Sequence, residues 1–357
     1  MLSKEEKDIS SKQKEIETNS KEVLASTPSK AKENDIRSDQ SQYSQIGDQQ
    51  LLLSNFLLQN KIGMGSFGKV FKVKEKKTDK IFAVKISIHS INEITNDAIK
   101  DLITEVNIIS KLHHPCILKY IGYSPIDFKN KPKPVIITEF ASNGSLQDLI
   151  DMERSSKSKW NSTQKLIIIY GIASAMAYLH ENDIIHRDLK PGNILIDSFL
   201  FPKIADFGLS KIKQNDKLNQ SSVAKIKGTP IYIAPEIWIK YEYSKAGDVY
   251  AFGMIVYEII TNEKPFSEVN IFQILSMVAS GYRPKFVNPI PPAYCQLIES
   301  CWSEDPKDRP TFLFITEKLK NDKRFITELI DEKEFLKYVK YIEESKVSFD
   351  SSKNNIK

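Results

Sequence analysis

The densest group of chemically competent side chains lies in residues 186–195, which read HRDLKPGNIL. Asp188 can accept the proton of a hydroxyl group, and the ammonium group of Lys190 can neutralise a phosphoryl group during its transfer. Asp206 follows thirteen residues after Asn193 and begins the tripeptide DFG. Carboxylate and amide oxygens are the hard ligands that Mg²⁺ prefers. A lone DFG occurs in ordinary loops, but together these residues indicate metal-assisted phosphoryl transfer.

A glycine-rich segment, GMGSFGKV at residues 63–70, lies between two predicted strands. Without side chains, such a loop can close on phosphate groups and offer backbone N–H groups to them. The GxGxxG spacing alone also fits a dinucleotide-binding turn or a mobile hairpin. Here a strand follows instead of a helix, which argues against the dinucleotide-binding unit.

The strand that follows carries a lysine that can serve the same phosphates. In FAVK, residues 82–85, alternation places Ala83 and Lys85 on one face, so that a small side chain can cover a flat ring while the ammonium group points at phosphate. On the next predicted helix, Glu105 lies beside the apolar stripe, where an ion pair with Lys85 would satisfy it. A solvated lysine and a glutamate at the wet margin of the helix are the alternatives. That stripe contains Ile99, Leu102, Ile103, Val106 and Ile109.

The elements that position these side chains form two groups. Residues 51–140 contain short β-type runs and one helical stretch, whereas the periodicity from Ser145 onward is mostly helical. Asn143 and Gly144 supply turn chemistry between the two groups, and Ser145 is a good N-cap. A chain of 357 residues exceeds a typical single core. We therefore expect an α+β, two-lobed unit of about 260 to 270 residues with flanking segments.

Both flanks differ from this unit in composition. Residues 1–50 are polar, with 8 basic and 10 acidic side chains, and we expect a disordered leader, solvated or used for docking. Residues 321–357 keep helical spacing, and Asp331 with Glu334 can cap a helix there. That helix can pack on the large lobe or bind a partner. Its apolar positions are Phe325, Ile326, Leu329, Ile330, Phe335, Leu336, Val339 and Ile342.

Composition and charge narrow the class of protein. Hydrophobic residues make up 41% and charged residues 27%, which is typical of a globular chain, and the net charge is +5 without a block of consecutive basic residues. Nucleic acid is therefore a minor alternative as a partner. Cys116, Cys295 and Cys301 form no CxxC motif, so we expect a reducing compartment, the cytoplasm or the nucleus. No signal peptide or membrane span is expected.

The combined motifs resemble those of the eukaryotic protein kinase family, from about Phe56 to about Leu319, roughly three-quarters of the chain. The resemblance implies a bilobal fold, with N-lobe 51–141 and C-lobe 142–320, and the use of ATP with Mg²⁺, for which Mn²⁺ can substitute. It assigns catalytic roles to Lys85, Glu105, Asp188, Lys190 and Asn193, with Asn193 and Asp206 as metal ligands. The residues expected at ATP are Ile62, Gly63, Met64, Gly65, Ser66, Phe67, Gly68, Val70, Ala83, Lys85, Thr138, Glu139, Ala141, Ser145 and Leu195.

Within the predicted ATP site, the resemblance makes Thr138 the gatekeeper and places backbone groups of Glu139 and Ala141 against adenine. Downstream, it implies a buried ion pair between Glu236 and Arg309. It also implies that Asp248 holds the backbone of the catalytic loop.

The same resemblance implies which amino acid receives the phosphate and how the activity is controlled. Lys190 and the segment GTPIYIAPE, residues 228–236, have the serine/threonine form, in which Thr229 braces the catalytic residues. The segments TEFASNGSL and CWSEDPKDRPTF resemble the tyrosine-kinase-like group, which mostly phosphorylates serine and threonine, and dual specificity remains open. Arg187 is the expected partner of an activating phosphate on Ser221 or Ser222. An upstream kinase or self-phosphorylation in trans would add it.

Two other classes compete with a protein kinase that turns over. A pseudokinase scaffold would bind nucleotide or partners without catalysis, but no member of the catalytic set is missing. A small-molecule kinase would not need the segment at residues 228–236, which in this family builds a peptide-binding surface.

Overall fold

The computed structural model describes residues 50–65, 68–90, 103, 105–212, 229–240, 242–267 and 269–354. The first part of the described chain is a five-stranded antiparallel sheet with the order β1-β2-β3-β5-β4. A helical segment at residues 105–109 accompanies it. The strands are β1 (Phe56–Met64), β2 (Gly68–Glu75), β3 (Ile81–Ser87), β4 (Tyr120–Ser124) and β5 (Val135–Glu139).

One face of this sheet forms its own core. Val73 and Val84 are fully buried there, and so are Val135 and Ile137 of β5. Since side chains alternate along a strand, burying Val84 turns Ala83 and Lys85 to the other face. The predicted assignment of these residues to two faces is confirmed.

The rest of the described chain is mainly helical, which confirms the expected α+β bilobal class. Its helices are α1 (Leu146–Arg154), α2 (Ser162–Glu181), α3 (Pro235–Lys240), α4 (Lys245–Thr261), α5 (Ile271–Ala279), α6 (Pro292–Cys301), α7 (Phe312–Asn321) and α8 (Glu332–Asn354). The predicted N-cap of α1 is confirmed, since the Ser145 hydroxyl accepts from the backbone N–H of Asp148. No helix among the described residues is both long and apolar enough to cross a membrane.

Two small two-stranded sheets lie at the two ends of the catalytic loop. Strand β6 (Ile184–Ile185) pairs with β9 (Lys211–Ile212), and β7 (Ile194–Ile196) pairs with β8 (Pro202–Ile204). The loop at residues 186–193 therefore leaves one short ladder and enters the other.

A buried ion pair anchors the large lobe, as predicted. Arg309 donates from its two terminal nitrogens to the Glu236 carboxylate at 2.6 and 2.9 Å, and its side chain is fully buried. Its Nε–H also donates to the Ser303 carbonyl at 3.0 Å. This bidentate geometry is the strong form of the interaction, so the pair holds α3 to the segment before α7.

The C-terminal flank departs from its predicted pattern. Asp331 does cap α8, because its Oδ1 accepts from the backbone N–H groups of Lys333 and Glu334. Leu329 and Leu336, however, are 77% and 43% exposed and do not belong to the buried stripe. Of the predicted leader, residues 1–50, only Gln50 is described, in an isolated parallel bridge with Tyr123, and the prediction otherwise lies outside the described residues.

Candidate active site

The catalytic loop converges on the carboxylate of Asp188. Lys190 Nζ and Asn193 Nδ2 each donate to Asp188 Oδ2 at 2.8 Å, and Asn193 Nδ2 also donates to the Asp188 carbonyl at 2.8 Å. These bonds fix the orientation of the Asn193 amide, so that its Oδ1 is the atom left to face a cation. Thr229 accepts from Lys190 Nζ at 3.0 Å and thus reaches Asp188 only through Lys190.

Asp248 holds the backbone that carries these groups, as predicted. Its Oδ2 accepts from the His186 backbone N–H at 2.9 Å and from His180 Nε2 at 2.8 Å. Its Oδ1 accepts from the Arg187 backbone N–H at 2.9 Å. Burial alone would raise the pKa of Asp248, but the His180 contact and the neighbouring backbone donors lower the pKa below its ordinary value. A charged carboxylate therefore organises the loop from inside the protein.

Arg187 lies in a special conformation beside Asp188. Its φ is 69°, in the left-handed region that non-glycine residues rarely adopt. Its guanidinium carbon lies 4.9 Å from the centroid of the Tyr243 ring, in the geometry of a cation–π contact. The predicted phosphate acceptors Ser221 and Ser222 lie outside the described residues. The structure therefore describes only Arg187 of the predicted arginine–phosphate contact.

Lys85 brings the sheet to the large lobe. Its Nζ lies 3.5 Å from Glu105 Oε1 and 3.4 Å from Asp206 Oδ1. Burial favours a lower pKa for Lys85, but the two carboxylates outweigh it and raise the pKa. For Asp206, burial opposes ionisation, yet Lys85 and His186 lower its pKa below the ordinary value. Lys85 and Asp206 are therefore charged at neutral pH, and the predicted ion pair of Lys85 with Glu105 is present.

The donor set fits a hard divalent cation. The backbone N–H of Ala205 donates to the Asn193 carbonyl at 2.8 Å, which places the residue before Asp206 beside Asn193. The Asp206 side chain is 34% exposed, so its carboxylate opens on the cleft and is not sealed in the core. Asn193 Oδ1 and Asp206 are the ligands that would hold Mg²⁺, in agreement with the preference of this ion for oxygen and retained water.

The predicted adenine wall is built mostly by strand pairing. Ala83 pairs with Thr138 across β3 and β5, and Val70 pairs with Lys85 across β2 and β3. Leu195 of β7 forms an isolated bridge with Ser145, which places it next to the predicted connection between the lobes.

Three further positions of the predicted ATP site lie on the connection between the lobes. The Glu139 backbone N–H donates to the Lys119 carbonyl at 2.9 Å, and its carboxylate lies 3.1 Å from Lys203 Nζ. Ala141 follows β5 and precedes α1. The Ser145 hydroxyl is occupied by Asp148 Oδ2 at 2.7 Å, so contact with a ribose would require Ser145 to share or exchange that bond.

The glycine-rich loop is only partly described. Gly63 and Met64 end β1, Gly65 donates its N–H to the Gly68 carbonyl at 2.9 Å, and Gly68 begins β2. A Cβ at Gly68 would stand 1.9 Å from the Ile86 carbonyl oxygen, so this position accepts no other residue without displacing β3. Met64 is 63% exposed and Ile62 is 43% exposed. Ser66 and Phe67 lie outside the described residues.

A polar network beside the catalytic loop was missed by the sequence reasoning. Glu258, 2% exposed on α4, accepts from the Tyr232 hydroxyl at 2.5 Å and from Arg154 at 2.9 Å. Burial raises the pKa of Glu258 and, together with Glu258, that of Tyr232. An open groove of about 440 Å³ lies over this network and reaches Lys190 and Thr229. The available signal was a single glutamate within the apolar sequence of α4.

Comparison with known proteins agrees with this site. The family model described as protein tyrosine and serine/threonine kinase matches residues 56–319, so the chain belongs to the protein kinase family. Serine/threonine-protein kinase CTR1 of Arabidopsis thaliana is 33% identical over 269 residues, which cover 74% of this chain and 31% of that protein.

The relatives from Dictyostelium discoideum include the following two proteins. One, named a probable serine/threonine-protein kinase, is 34% identical over 277 residues, 77% of this chain and 28% of that protein. The second, probable serine/threonine-protein kinase drkB, is 32% identical over 280 residues, 77% of this chain and 38% of that protein. The aligned part of this chain thus spans about a third of these relatives' length.

Proposed function

We propose that the chain transfers the γ-phosphoryl group of ATP to serine or threonine hydroxyls of proteins. The observation that carries the proposal is the simultaneous contact of Lys85 with Glu105 and Asp206, which joins the two sides of the cleft. The kinase domain is assigned to residues 51–320, with residues 321–357 as an extension.

The charged groups suit an in-line transfer. In the described chain, the two side chains that donate to the Asp188 carboxylate both bind its Oδ2, which leaves Oδ1 to face the acceptor hydroxyl. Asp188 accepts the hydroxyl proton while the acceptor oxygen bonds to the γ-phosphorus and the bond to the bridging oxygen breaks, releasing ADP. Lys190 neutralises charge on the transferred group, and Lys85 orients the remaining phosphates. When bound, Mg²⁺ supplies further charge neutralisation between phosphate oxygens.

Serine and threonine are favoured as acceptors by the contact of Lys190 with Thr229 and by the names of the relatives. The groove over Tyr232 and Glu258 adjoins this contact and offers room for an extended peptide. Protein substrates are therefore proposed rather than small molecules. Phosphorylation of tyrosine in a peptide library, at a rate comparable with serine, would change the assignment to dual specificity.

The test of the proposed chemistry is metal-dependent transfer from γ-labelled ATP to a generic basic protein. The full chain should be active with Mg²⁺ and with Mn²⁺, and Asp188→Asn should reduce turnover by at least about 10²-fold. Asp183→Asn, on an exposed carboxylate paired with Lys245, is the matched control and should retain wild-type activity. An inactive wild-type chain that still binds ATP would favour the pseudokinase alternative.

We also propose activation by phosphorylation of Ser221 or Ser222. The support is Arg187, whose fixed backbone and stacked guanidinium lie beside the catalytic base. A phosphate on the activation segment would form charge-assisted hydrogen bonds with that arginine and order the segment. An upstream kinase, or a second copy acting in trans, would supply it. Unchanged turnover in the double variant Ser221→Ala/Ser222→Ala would refute this control.

The state of the cysteines supports a proposal for the cellular compartment. Cys116, Cys295 and Cys301 are all free, which fits the reducing cytoplasm or nucleus.

A further inference from the structure

A helix outside the family-matched segment packs on the wall behind the proposed nucleotide site. The match ends at residue 319, whereas α8 begins at Glu332. Phe335, Tyr338 and Ile342 of α8 are 0%, 3% and 0% exposed. These positions follow helical spacing, so one continuous stripe of α8 is buried against the large lobe. The helix is thereby an integral part of the described structure.

Tyr338 makes the most specific contact of this helix. Its hydroxyl lies 3.0 Å from the Cys116 Sγ, and its ring centroid lies 4.5 Å from that of Phe201. On α2, a Cβ at Gly171 would come within 2.5 Å of the Tyr338 hydroxyl and 2.6 Å of Pro202 Cγ. The tyrosine therefore fills a site that three separate segments shape and that exists only because residue 171 lacks a side chain.

The segment that Tyr338 contacts leads directly to the proposed nucleotide site. The Ile204 N–H donates to the Cys116 carbonyl at 2.8 Å, and the Leu118 N–H donates to the Ile204 carbonyl at 2.9 Å. Two residues after Ile204 the chain reaches Asp206. Strand β8, which ends at Ile204, thus connects the Tyr338 site to the proposed metal ligand.

The same segment also reaches the connection between the lobes. Lys119 and Glu139 exchange two bonds, in which the Glu139 N–H donates to the Lys119 carbonyl at 2.9 Å and the Lys119 N–H donates to Glu139 Oε1 at 2.8 Å. Lys203 of β8 contacts the same carboxylate at 3.1 Å. Residues 116–119 therefore couple the Tyr338 site to the backbone proposed to contact adenine.

We propose that Tyr338 is a positioning residue for the nucleotide site, acting through residues 116–119 and β8. The inference rests on the proposed function, because it presumes that ATP occupies the cleft. Removing the ring would let Cys116 and β8 shift toward the vacated volume, and Glu139 and Asp206 would shift with them. Small displacements of positioning groups are enough to weaken binding and slow transfer.

The experiment compares ATP dissociation constants and steady-state constants of full-length variants, measured well below their melting temperatures. Tyr338→Ala should raise both the dissociation constant and the KM for ATP by about tenfold. Tyr338→Phe keeps the ring and should remain within about threefold of wild type, because the thiol–hydroxyl contact is a weak hydrogen bond. If Tyr338→Ala does not fold, Tyr338→Leu provides the same comparison with a smaller loss of volume.

Two controls separate positioning from general stability. Phe325 is fully buried and packs on Tyr294 of α6, away from residues 116–119, so Phe325→Ala should lower the melting temperature without changing ATP affinity. Leu336→Ala, on the half-exposed side of α8, should change neither. An unchanged dissociation constant in Tyr338→Ala, or an equal change in Phe325→Ala, would overturn the inference. A wild-type chain that binds no ATP would instead refute the proposed function.

Discussion

The two sides of the cleft are held together in different ways. On the catalytic-loop side, residues 186–193, the bonds from Lys190 and Asn193 to Asp188, and from two loop backbone N–H groups to the buried Asp248, measure 2.8 to 2.9 Å. On the sheet side, β1–β3, the corresponding link is Lys85, whose two carboxylate contacts measure 3.4 and 3.5 Å. In addition, seven of the nine residues of β1 are exposed, so this strand buries little of its surface.

This difference indicates where activity can be changed without unfolding the protein. The catalytic loop is organised by the same buried bonds that stabilise the large lobe, so disturbing it affects folding and turnover together. On the sheet side, by contrast, the link in the described chain is a single lysine, and water reaches its partner Asp206 at the cleft. Three predictions test this comparison.

The largest expected effect is on the catalytic-loop side. Asp248→Ala removes the acceptor of two buried backbone N–H groups, each costing about 1–3 kcal/mol when unpaired, so the free energy of unfolding should fall by about 2 to 6 kcal/mol. Turnover should also fall by at least about 10²-fold, since the loop that carries Asp188 loses its support. Denaturant titration and initial rates measure the two effects.

The matched control for this change is Asp183→Asn, because asparagine tolerates the left-handed backbone of this position, where φ is 57°. That side chain is 62% exposed and pairs with Lys245, and exposed pairs contribute at most about 1 kcal/mol. A stable Asp248→Ala protein with normal turnover would show that the buried carboxylate does not organise the loop.

On the sheet side, Lys85→Met should separate activity from stability. We expect kcat/KM to fall by about 10²- to 10³-fold, because a charge directed at the phosphates is lost. The free energy of unfolding should fall by less than for Asp248→Ala, because water reaches Asp206, whose side chain is 34% exposed, although the buried Glu105 carboxylate also loses this lysine. Lys74→Met, on an exposed pair with Asp79, is the control. A stability loss as large as that of Asp248→Ala would abolish the distinction between the two sides.

The smallest expected effect concerns Thr229, which touches the catalytic loop from outside it. Thr229→Ala removes the hydroxyl that accepts from Lys190 and should lower kcat by about tenfold, with little change in stability. Thr229→Ser keeps the hydroxyl and should remain near wild type. If Thr229→Ser lowers kcat as much as Thr229→Ala does, the threonine methyl group matters and the hydrogen bond to Lys190 does not.

Much of the site could be predicted because its chemistry is local in sequence. Alternation along one strand gave the faces of Ala83 and Lys85, and the ten residues 186–195 contain the catalytic loop. The partners of Asp248 and Arg309 followed only from resemblance, since nothing within their own segments indicates a distant carboxylate or backbone donor. Residue type and period describe an element, whereas these contacts depend on how elements pack.

The C-terminal flank shows the same limit. Its apolar residues predicted a helix that packs on the large lobe, yet Leu329 and Leu336 are exposed and Tyr338, which the pattern omitted, is buried. Tyr338 lies three residues after Phe335 and four before Ile342, so helical spacing could have included it. Its partner Cys116 stands 222 positions away, and no sequence period connects them.

The missing side chain at Gly171 has a consequence for reading related chains. A Cβ there would stand 2.5 Å from the Tyr338 hydroxyl and 2.6 Å from Pro202 Cγ, so the tyrosine or its neighbours would have to shift before a C-terminal helix docked in this pose. We therefore expect the glycine on α2 and the tyrosine beyond residue 319 to occur together. A relative that carries both is expected to share this docked helix, and one that has alanine at the first position is expected to place its C-terminal extension elsewhere.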